Sequence, residues 1–289
     1  METEIPQIPF DRAQSLAIEV MKFQDLAGKL ERSMGHDPYA AHRIQFYLIL
    51  VVTKNTYIHS VDLLSYELKK GSALFVANDQ VHHFTKGLQK AEGFAIVLHR
   101  DLLDRYAYIS DALKFSRLFN YHIETPVIHQ EEMGNDSLIE IVDRLYQEYT
   151  FPNDFAKAEF LQTLLQVFLL KAERAKAEKS SDRTDIHWLE LFSAFKNRLE
   201  KDFVKTRSSR YYAAELSISY KFLNDIVKKL SGKTVKAFID DLVTTEIKRY
   251  LVSTDHTVKE ICFLTGFDEP PNMVRFFRKN TSMTPLQFR

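Results

Sequence analysis

Residues 211 to 281 carry one layout twice: a short helix, a tight turn, and a second helix with polar residues along one edge. The first copy is YYAAELSISYKFLNDIVKKLSG, Tyr211 to Gly232, and the second is TVKEICFLTGFDEPPNMVRFFRKNTS, Thr257 to Ser282. A paired helix-turn-helix on one chain is DNA-reading architecture. Ala213, Ala214 and Leu216 in one copy, and Val258, Ile261 and Cys262 in the other, are small or apolar where the first helix must pack. The turns are expected at Ser217-Ile218 and Gly266-Phe267. Gly266 can take a positive φ without steric cost, and Ser217 lacks that freedom, so the first turn carries the weaker signal. The second helices keep apolar stripes, Phe222, Leu223, Ile226 and Val227 against Met273, Phe276 and Phe277, and the polar edges beside them are the candidate reading surfaces.

Between the copies, Thr234 to about Ser253 repeats Val235, Phe238, Ile239, Leu242, Ile247, Tyr250 and Leu251 at helical spacing, which predicts one amphipathic spacer helix. About 20 residues at a rise of ~1.5 Å make a rod of about 30 Å. That is close to the roughly 34 Å between successive major-groove faces on one side of B-DNA. Two reading helices held so far apart could enter adjacent turns of one duplex.

Gly232-Lys233-Thr234, the run from Ile261 through Gly266-Phe267-Asp268, and the closing Thr284-Pro285-Leu286-Gln287-Phe288-Arg289 occur in that order. In these motifs the last hundred residues resemble the DNA-binding domain of the AraC family of transcriptional regulators. The resemblance implies a first recognition helix on Ser219 to Leu230, with Tyr220, Lys221, Asn224 and Lys228 toward the groove. It implies a second on about Pro270 to Asn280, with Asn272, Arg275, Arg278 and Lys279 toward DNA. Asn pairs bidentately with adenine and Arg with guanine, while Lys chiefly neutralises phosphate. Asp225 departs from the family in standing where a basic residue is common. Pro270 and Pro271 suit a first helical turn but remove two side-chain base contacts, so the second motif is expected to rely on phosphate contacts and on Arg275. Arg275→Ala and Asn224→Ala are each expected to cost about 1 to 3 kcal/mol at the best site, whereas Lys228→Ala should weaken all sequences alike and flatten the salt slope.

The 289 residues hold 39 Lys and Arg against 39 Asp and Glu, a length that permits two domains. The balance conceals an asymmetry. From Arg183 onward there are 19 basic and 13 acidic residues, against 20 and 26 before it, as expected of a DNA module joined to something that is not one. An excess of six charges is modest and predicts weak unassisted monomer binding. The single cysteine, Cys262, excludes an intramolecular disulfide framework and a multi-cysteine zinc site, and its place on a packing face predicts a small buried apolar role. METEIPQIPFDRAQ lacks a signal peptide's basic start and apolar core, and no run reaches membrane-span length, so a cytoplasmic protein with no membrane association is expected.

The N-terminal half reads as short strands at Ile44–Thr53, Val61–Leu68, Ala73–Ala77 and Gly93–Leu98, with turns at Lys54-Asn55, Lys69-Lys70-Gly71 and Asn78-Asp79. Such spacing argues for a small antiparallel sandwich or barrel. His42-Arg43 leading to Phe46-Tyr47, the Gly71 turn, and Asn78 through Phe84 give a looser resemblance to the cupin-like sensor domain found in many AraC-family members. His59, His82, His83 and His99 raise the alternative of a metal-dependent cupin enzyme. His82 and His83 are adjacent, so only one can point inward, and the two-His-plus-Glu hairpin pattern is absent around His59. No metal, no cofactor and no enzymatic activity are therefore expected. Tyr47, His59 and His82 are the candidates for contacting an effector, if one exists.

Asp136 to Tyr149 and Asp154 to about Lys179 read as two helices broken by Phe151-Pro152-Asn153, and Lys171 to Arg183 trails into a solvated linker. Phe155, Phe160, Leu161, Leu164, Leu165, Val167, Phe168 and Leu169 make the second helix's apolar face broad enough to pack on its own domain and meet a partner. The resemblance places a homodimer contact on helices 136–179. The expected class is α+β in two domains. Residues 1–180 form a cupin-like antiparallel β-barrel (about 16–130) with helices. Residues 181–289 form an all-α domain whose two helix-turn-helix motifs (about 210–231 and 257–281) are joined by a linker helix. The function implied is effector-responsive, sequence-specific DNA binding that activates transcription through RNA polymerase. A protein-interaction module without sequence-specific DNA binding is the remaining alternative.

Overall fold

Ten short strands run from Gln7 to Ile128 among the described residues: β1 (Gln7–Ile8), β2 (Ile18–Lys22), β3 (His42–Ile44), β4 (Tyr47–Lys54), β5 (Tyr57–Val61), β6 (Leu64–Leu68), β7 (Ala73–Val76), β8 (Val81–His83), β9 (Glu92–Leu98) and β10 (Val127–Ile128). Helix α1 (Phe23–Ser33) follows β2. The structure is a computed structural model that describes residues 5–10, 16–33, 37, 39–103, 117–122, 124–134, 136–152, 155–179 and 186–289. The chain divides into a unit of Pro6–Asp182 and a unit built on Arg183–Arg289.

The strands form two five-stranded sheets, ordered β1-β3-β8-β5-β6 and β10-β7-β4-β9-β2. β1 runs parallel to β3, and the remaining pairs are antiparallel. Strand β4 explains why two layers of core form. Its alternation sends Leu48, Leu50 and Val52 into one cluster with Ile44, Tyr57 and α1, and Ile49 and Val51 into another with Phe75, Ile96 and the following helices. A strand buried on both faces reads as a continuous apolar run, as this one does.

Two expectations change here. The antiparallel barrel is not closed: the chain switches sheets at Gln45-Phe46 and across Ala77–Gln80, and no strand pairing joins the two sheets among the described residues. Gln80 holds the second corner, its amide oxygen accepting from Ala77 N at 2.7 Å while its nitrogen donates to Asp62 at 2.7 Å. Val61–Leu68 is also not one strand. Asp62 and Leu63 both take positive φ, 50° and 71°, and fold the segment into the β5–β6 hairpin.

Helices α2 (Ile139–Thr150) and α3 (Lys157–Lys179) cover the second sheet; the expected start at Asp154 lies outside the described residues. Residues 171–179, read both as the end of the second helix and as the start of a solvated linker, complete α3. Ala172 and Ala175 are buried, and the buried Lys176 ammonium donates to Val127 O at 3.1 Å and to Thr125 O.

The C-terminal unit consists of α4 (Ile186–Asp202), α5 (Ser209–Glu215), α6 (Tyr220–Ser231), α7 (Val235–Ser253), α8 (Val258–Leu264), α9 (Pro270–Thr281) and α10 (Pro285–Phe288). Helix α4 was not foreseen, yet its Phe192 and Phe195 pack on Phe238 with ring centres 5.4 and 5.7 Å apart. The expected amphipathic spacer is α7, whose 19 residues span about 28 Å. It is a core helix rather than a surface rod. Beside its apolar residues, Asp240, Thr244, Glu246 and Arg249 are buried, because α5, α6, α8, α9 and α10 all pack around it. Its buried charges are paired, Asp240 with Lys236 and Glu246 with Arg249.

Candidate functional site

Helices α5 and α8 have seven residues each, and α6 and α9 have twelve each. The first helix of each pair begins at a hydroxyl cap. Ser208 accepts from Tyr211 N, and Thr257 exchanges hydrogen bonds with Glu260, whose carboxyl is held below its ordinary range by the Thr257 N–H. The turns close identically. Ser217 N donates to Ala214 O at 2.9 Å and Ile218 N to Ala213 O at 3.0 Å, matched by Gly266 N to Phe263 O at 3.1 Å and Phe267 N to Cys262 O at 2.9 Å. Both are Schellman turns with a left-handed residue at the pivot, φ 56° at Ser217 and 74° at Gly266. Gly266 carries a second constraint, since a Cβ there would lie 2.1 Å from Val204 O.

Arg207, which the sequence reading passed over, pins the second turn. Its guanidinium lies 3.5 Å from the Phe267 ring centre and donates to Thr265 O at 2.6 Å. Cys262 is buried beneath it, its Sγ donating to Phe267 O at 3.3 Å, and burial raises the thiol pKa.

On α6, Tyr220, Lys221 and Lys228 are exposed along with Asp225 and Lys229. Ser219 is the helix cap, its hydroxyl accepting from Phe222 N at 3.1 Å. Asn224 is half-buried, and its amide oxygen accepts from Val235 N at 3.2 Å, so the bidentate adenine pairing expected of it would require breaking an internal bond. On α9, Pro270 occupies the first turn and is half-buried, while Asn272, Arg275, Arg278 and Lys279 are exposed. Arg275 donates to Asn272 Oδ1 at 2.7 Å, which orients the two as one polar group.

The N-terminal effector candidates separate. Tyr47 faces the helices and packs on Phe119 at 4.7 Å between ring centres. His59 and His82 are buried on the other side of the fold, with His59 Nε2 and His82 Nδ1 2.9 Å apart. Of the adjacent histidines, His82 points in and His83 is half-buried. The Tyr57 hydroxyl, which accepts from Thr85 N at 3.3 Å, lies 3.1 Å from His59 Nδ1. Burial holds His59 down at about 3, depresses His82 well below its ordinary value, and pushes the Tyr57 hydroxyl up, so all three stay neutral. His82 also lines a cavity of about 340 Å³ whose walls include Met21, Leu26, Phe46, Leu48, Phe84 and Val97. The N-terminal segment Ile8-Pro9-Phe10 forms part of the same wall, and Glu19 and Lys29 line it as an ion pair at 2.5 Å. No group of three or more His, Cys, Asp or Glu side chains is placed to hold a metal ion among the described residues.

The outer face of α3 carries exposed apolar side chains among polar ones such as Glu159 and Thr163. Phe155 just before it is 94% exposed, and Phe160 and Val167 on it are 58% and 41% exposed, while Leu161, Leu165, Phe168 and Leu169 pack inward. No helix among the described residues is long and apolar enough to cross a membrane.

A family model described as a helix-turn-helix domain matches residues 212–289. The chain is 22% identical over 264 residues to the HTH-type transcriptional activator RhaS of Klebsiella pneumoniae, covering 90% of this chain and 91% of that protein. It is 25% identical over 105 residues to the bifunctional transcriptional activator/DNA repair enzyme AdaA of Bacillus subtilis, covering 36% of this chain and about half, 48%, of that protein. Among solved structures, ToxT from Vibrio cholerae O395 aligns over 94% of this chain and 96% of its own with a TM-score of 0.42 and 11% identity.

Proposed function

We propose that this chain, an AraC-family transcriptional regulator that binds DNA, reads an operator with both helix pairs, α6 and α9 entering successive major grooves. It is a transcription factor and not an enzyme. The observation that carries the two-headed reading is the matched geometry: equal helix lengths, equal turn hydrogen bonds, and an exposed basic edge on the second helix of each pair. The proposed contacts are Ser219, Tyr220, Lys221 and Lys228 on one head and Asn272, Arg275, Arg278 and Lys279 on the other. Asn224 keeps only its amide N–H₂ for DNA, and Pro270 contributes shape.

The N-terminal unit, residues 1–180 in this reading, is a cupin-like sensor, supported by its two facing sets of short antiparallel strands and its cavity. The exposed Phe155, Phe160 and Val167 support a homodimer contact on α3. In this reading an effector shifts the protein between two states that differ in DNA binding, and likeness to activators such as RhaS supports activation; a contact with RNA polymerase is part of the same proposal.

Selection of bound sequences from random duplex DNA by the full-length protein tests this reading. Enriched sites with two half-motifs about one helical turn apart are expected. Enrichment of one short motif would leave a single reading head, and no enrichment would remove the interface altogether.

A further inference from the structure

We propose that the N-terminal cavity takes an uncharged, largely apolar small molecule with one hydrogen-bond acceptor, held by the Nε2–H of His82. This rests on the reading of that unit as a sensor and names the chemistry of what it senses.

The donor on His82 follows from a chain of hydrogen bonds. Thr85 N–H donates to the Tyr57 oxygen, and in the proposed arrangement the Tyr57 proton is given to His59 Nδ1, 3.1 Å away. In that arrangement His59 carries its own proton on Nε2, which donates to His82 Nδ1 at 2.9 Å. A neutral His82 is left with its proton on Nε2, and that nitrogen has no hydrogen-bond partner although the residue is only 2% exposed. Buried polar groups are nearly always paired; His82 lines the cavity while its Nε2 is itself covered, so a ligand that brings the missing acceptor meets this nitrogen by a small turn of the ring toward the cavity. His42, the neighbouring ring at 4.4 Å, is turned to Ala40 O through its Nδ1 at 3.1 Å.

The rest of the wall selects among acceptors. Its acidic and basic lining groups, Glu19 and Lys29, lie 2.5 Å apart as an ion pair, and Glu19 is 8% exposed. A carboxylate ligand would have to compete with Glu19 for Lys29 and place a second negative charge beside a buried carboxylate. A sugar would set most of its hydroxyls against Phe46, Leu48, Phe84 and Val97, where nothing bonds them. An aliphatic ketone, ester or lactone meets both conditions: its carbonyl accepts from His82 and its chain fills the apolar volume.

Calorimetric titration of the full-length protein with methyl octyl ketone, decanoate and glucose tests the class. The ketone is expected to bind at least about tenfold more tightly than decanoate, and glucose not at all. His82→Phe keeps a ring but loses the donor, and is expected to weaken the ketone about tenfold. Nitrogen-15 spectra of the histidine rings supply a second readout in the unaltered protein: a protonated His82 Nε2 whose signal moves on adding ketone. Decanoate or glucose binding more tightly than the ketone overturns the ligand class while leaving a sensor cavity in place. A His82 bearing no proton on Nε2, or a His82→Phe protein that folds and binds ketone unchanged, overturns the role of the donor. Failure of all three probes to bind would instead overturn the cavity as the sensing site.

Discussion

The two helix pairs share a backbone and differ in how their sequences achieve it. Aligned from their second helices, Ser219 matches Glu269, Asp225 matches Arg275, and the left-handed cap Gly232 (φ 71°) matches Ser282 (φ 63°). Glycine and serine thus trade places: serine pivots the first turn and caps the second pair, glycine the reverse. Hydrogen-bond closure fixes the left-handed residue, and glycine becomes obligatory only where another backbone comes close. Gly266 against Val204 is such a place, and Gly232, with open space where its Cβ would be, is not.

The largest expected effect separates these cases. Gly266→Ala must accept both a left-handed φ and a methyl pressed on a carbonyl, and is expected to cost at least about 3 kcal/mol in chemical denaturation of the full-length protein. Gly232→Ala meets only the φ term and should cost about 1 kcal/mol. Equal losses at the two sites would show that the close approach at Val204 yields readily.

The reading edges are contrasted by charge. Arg275→Ala is expected to weaken binding by about 1 to 3 kcal/mol and to relax specificity in the half-motif under α9. Asp225→Arg gives α6 the charge that α9 already has and should raise affinity for all sequences, steepening the salt dependence by about one phosphate contact. Binding curves across a salt series decide this, and an unchanged slope for Asp225→Arg would place that residue off the DNA. On the proposed dimer surface, Phe160→Glu should shift the protein to monomer in sedimentation, and a persisting dimer would move the contact away from α3.

What the sequence revealed follows from range. Helical periodicity and Gly266 are local, so both pairs could be read within a few residues of their observed limits. The β5–β6 hairpin was missed because Asp62-Leu63 carries neither Gly nor Asn, its turn being held by Val81 and Gln80 from another strand. Tyr47 is separated from the cavity by a single step of strand parity: its neighbour Leu48 lines the cavity while Tyr47 faces the helices. The cavity itself is assembled from β1, β2, α1, β3, β4, β8 and β9, and no local pattern announces such a gathering. The hydrogen-bond chain through Tyr57, His59 and His82 was invisible for the same reason.

Asn224 shows how the repeat resolves what one copy leaves ambiguous. In the second pair its counterpart is Val274, and the counterpart of its partner Val235 is Pro285, which has no N–H to satisfy. Acceptor and donor are absent together, so the Asn224–Val235 bond belongs to the scaffold. Asn224→Val alone should destabilise by about 1 to 2 kcal/mol, because it strands the buried Val235 N–H. Adding Val235→Pro should recover most of that loss, a coupling of about 1 kcal/mol. Additive losses in the double mutant would return Asn224 to the DNA surface as its main role.

The smallest effect tests the comparison at its origin. Ser217 sits at φ 56° with an exposed side chain, and its backbone N–H already makes the turn's hydrogen bond to Ala214 O. A Cβ in the left-handed region costs about 1 kcal/mol or more, and glycine removes that strain while adding back some freedom to the unfolded chain. Ser217→Gly is therefore expected to stabilise the protein by about 0.5 kcal/mol. Its DNA affinity should not change, since the residue precedes the Ser219 cap and the exposed edge of α6. A loss of stability would mean that the serine turn depends on its side chain, and that the two turns, alike in their hydrogen bonds, are held by different means.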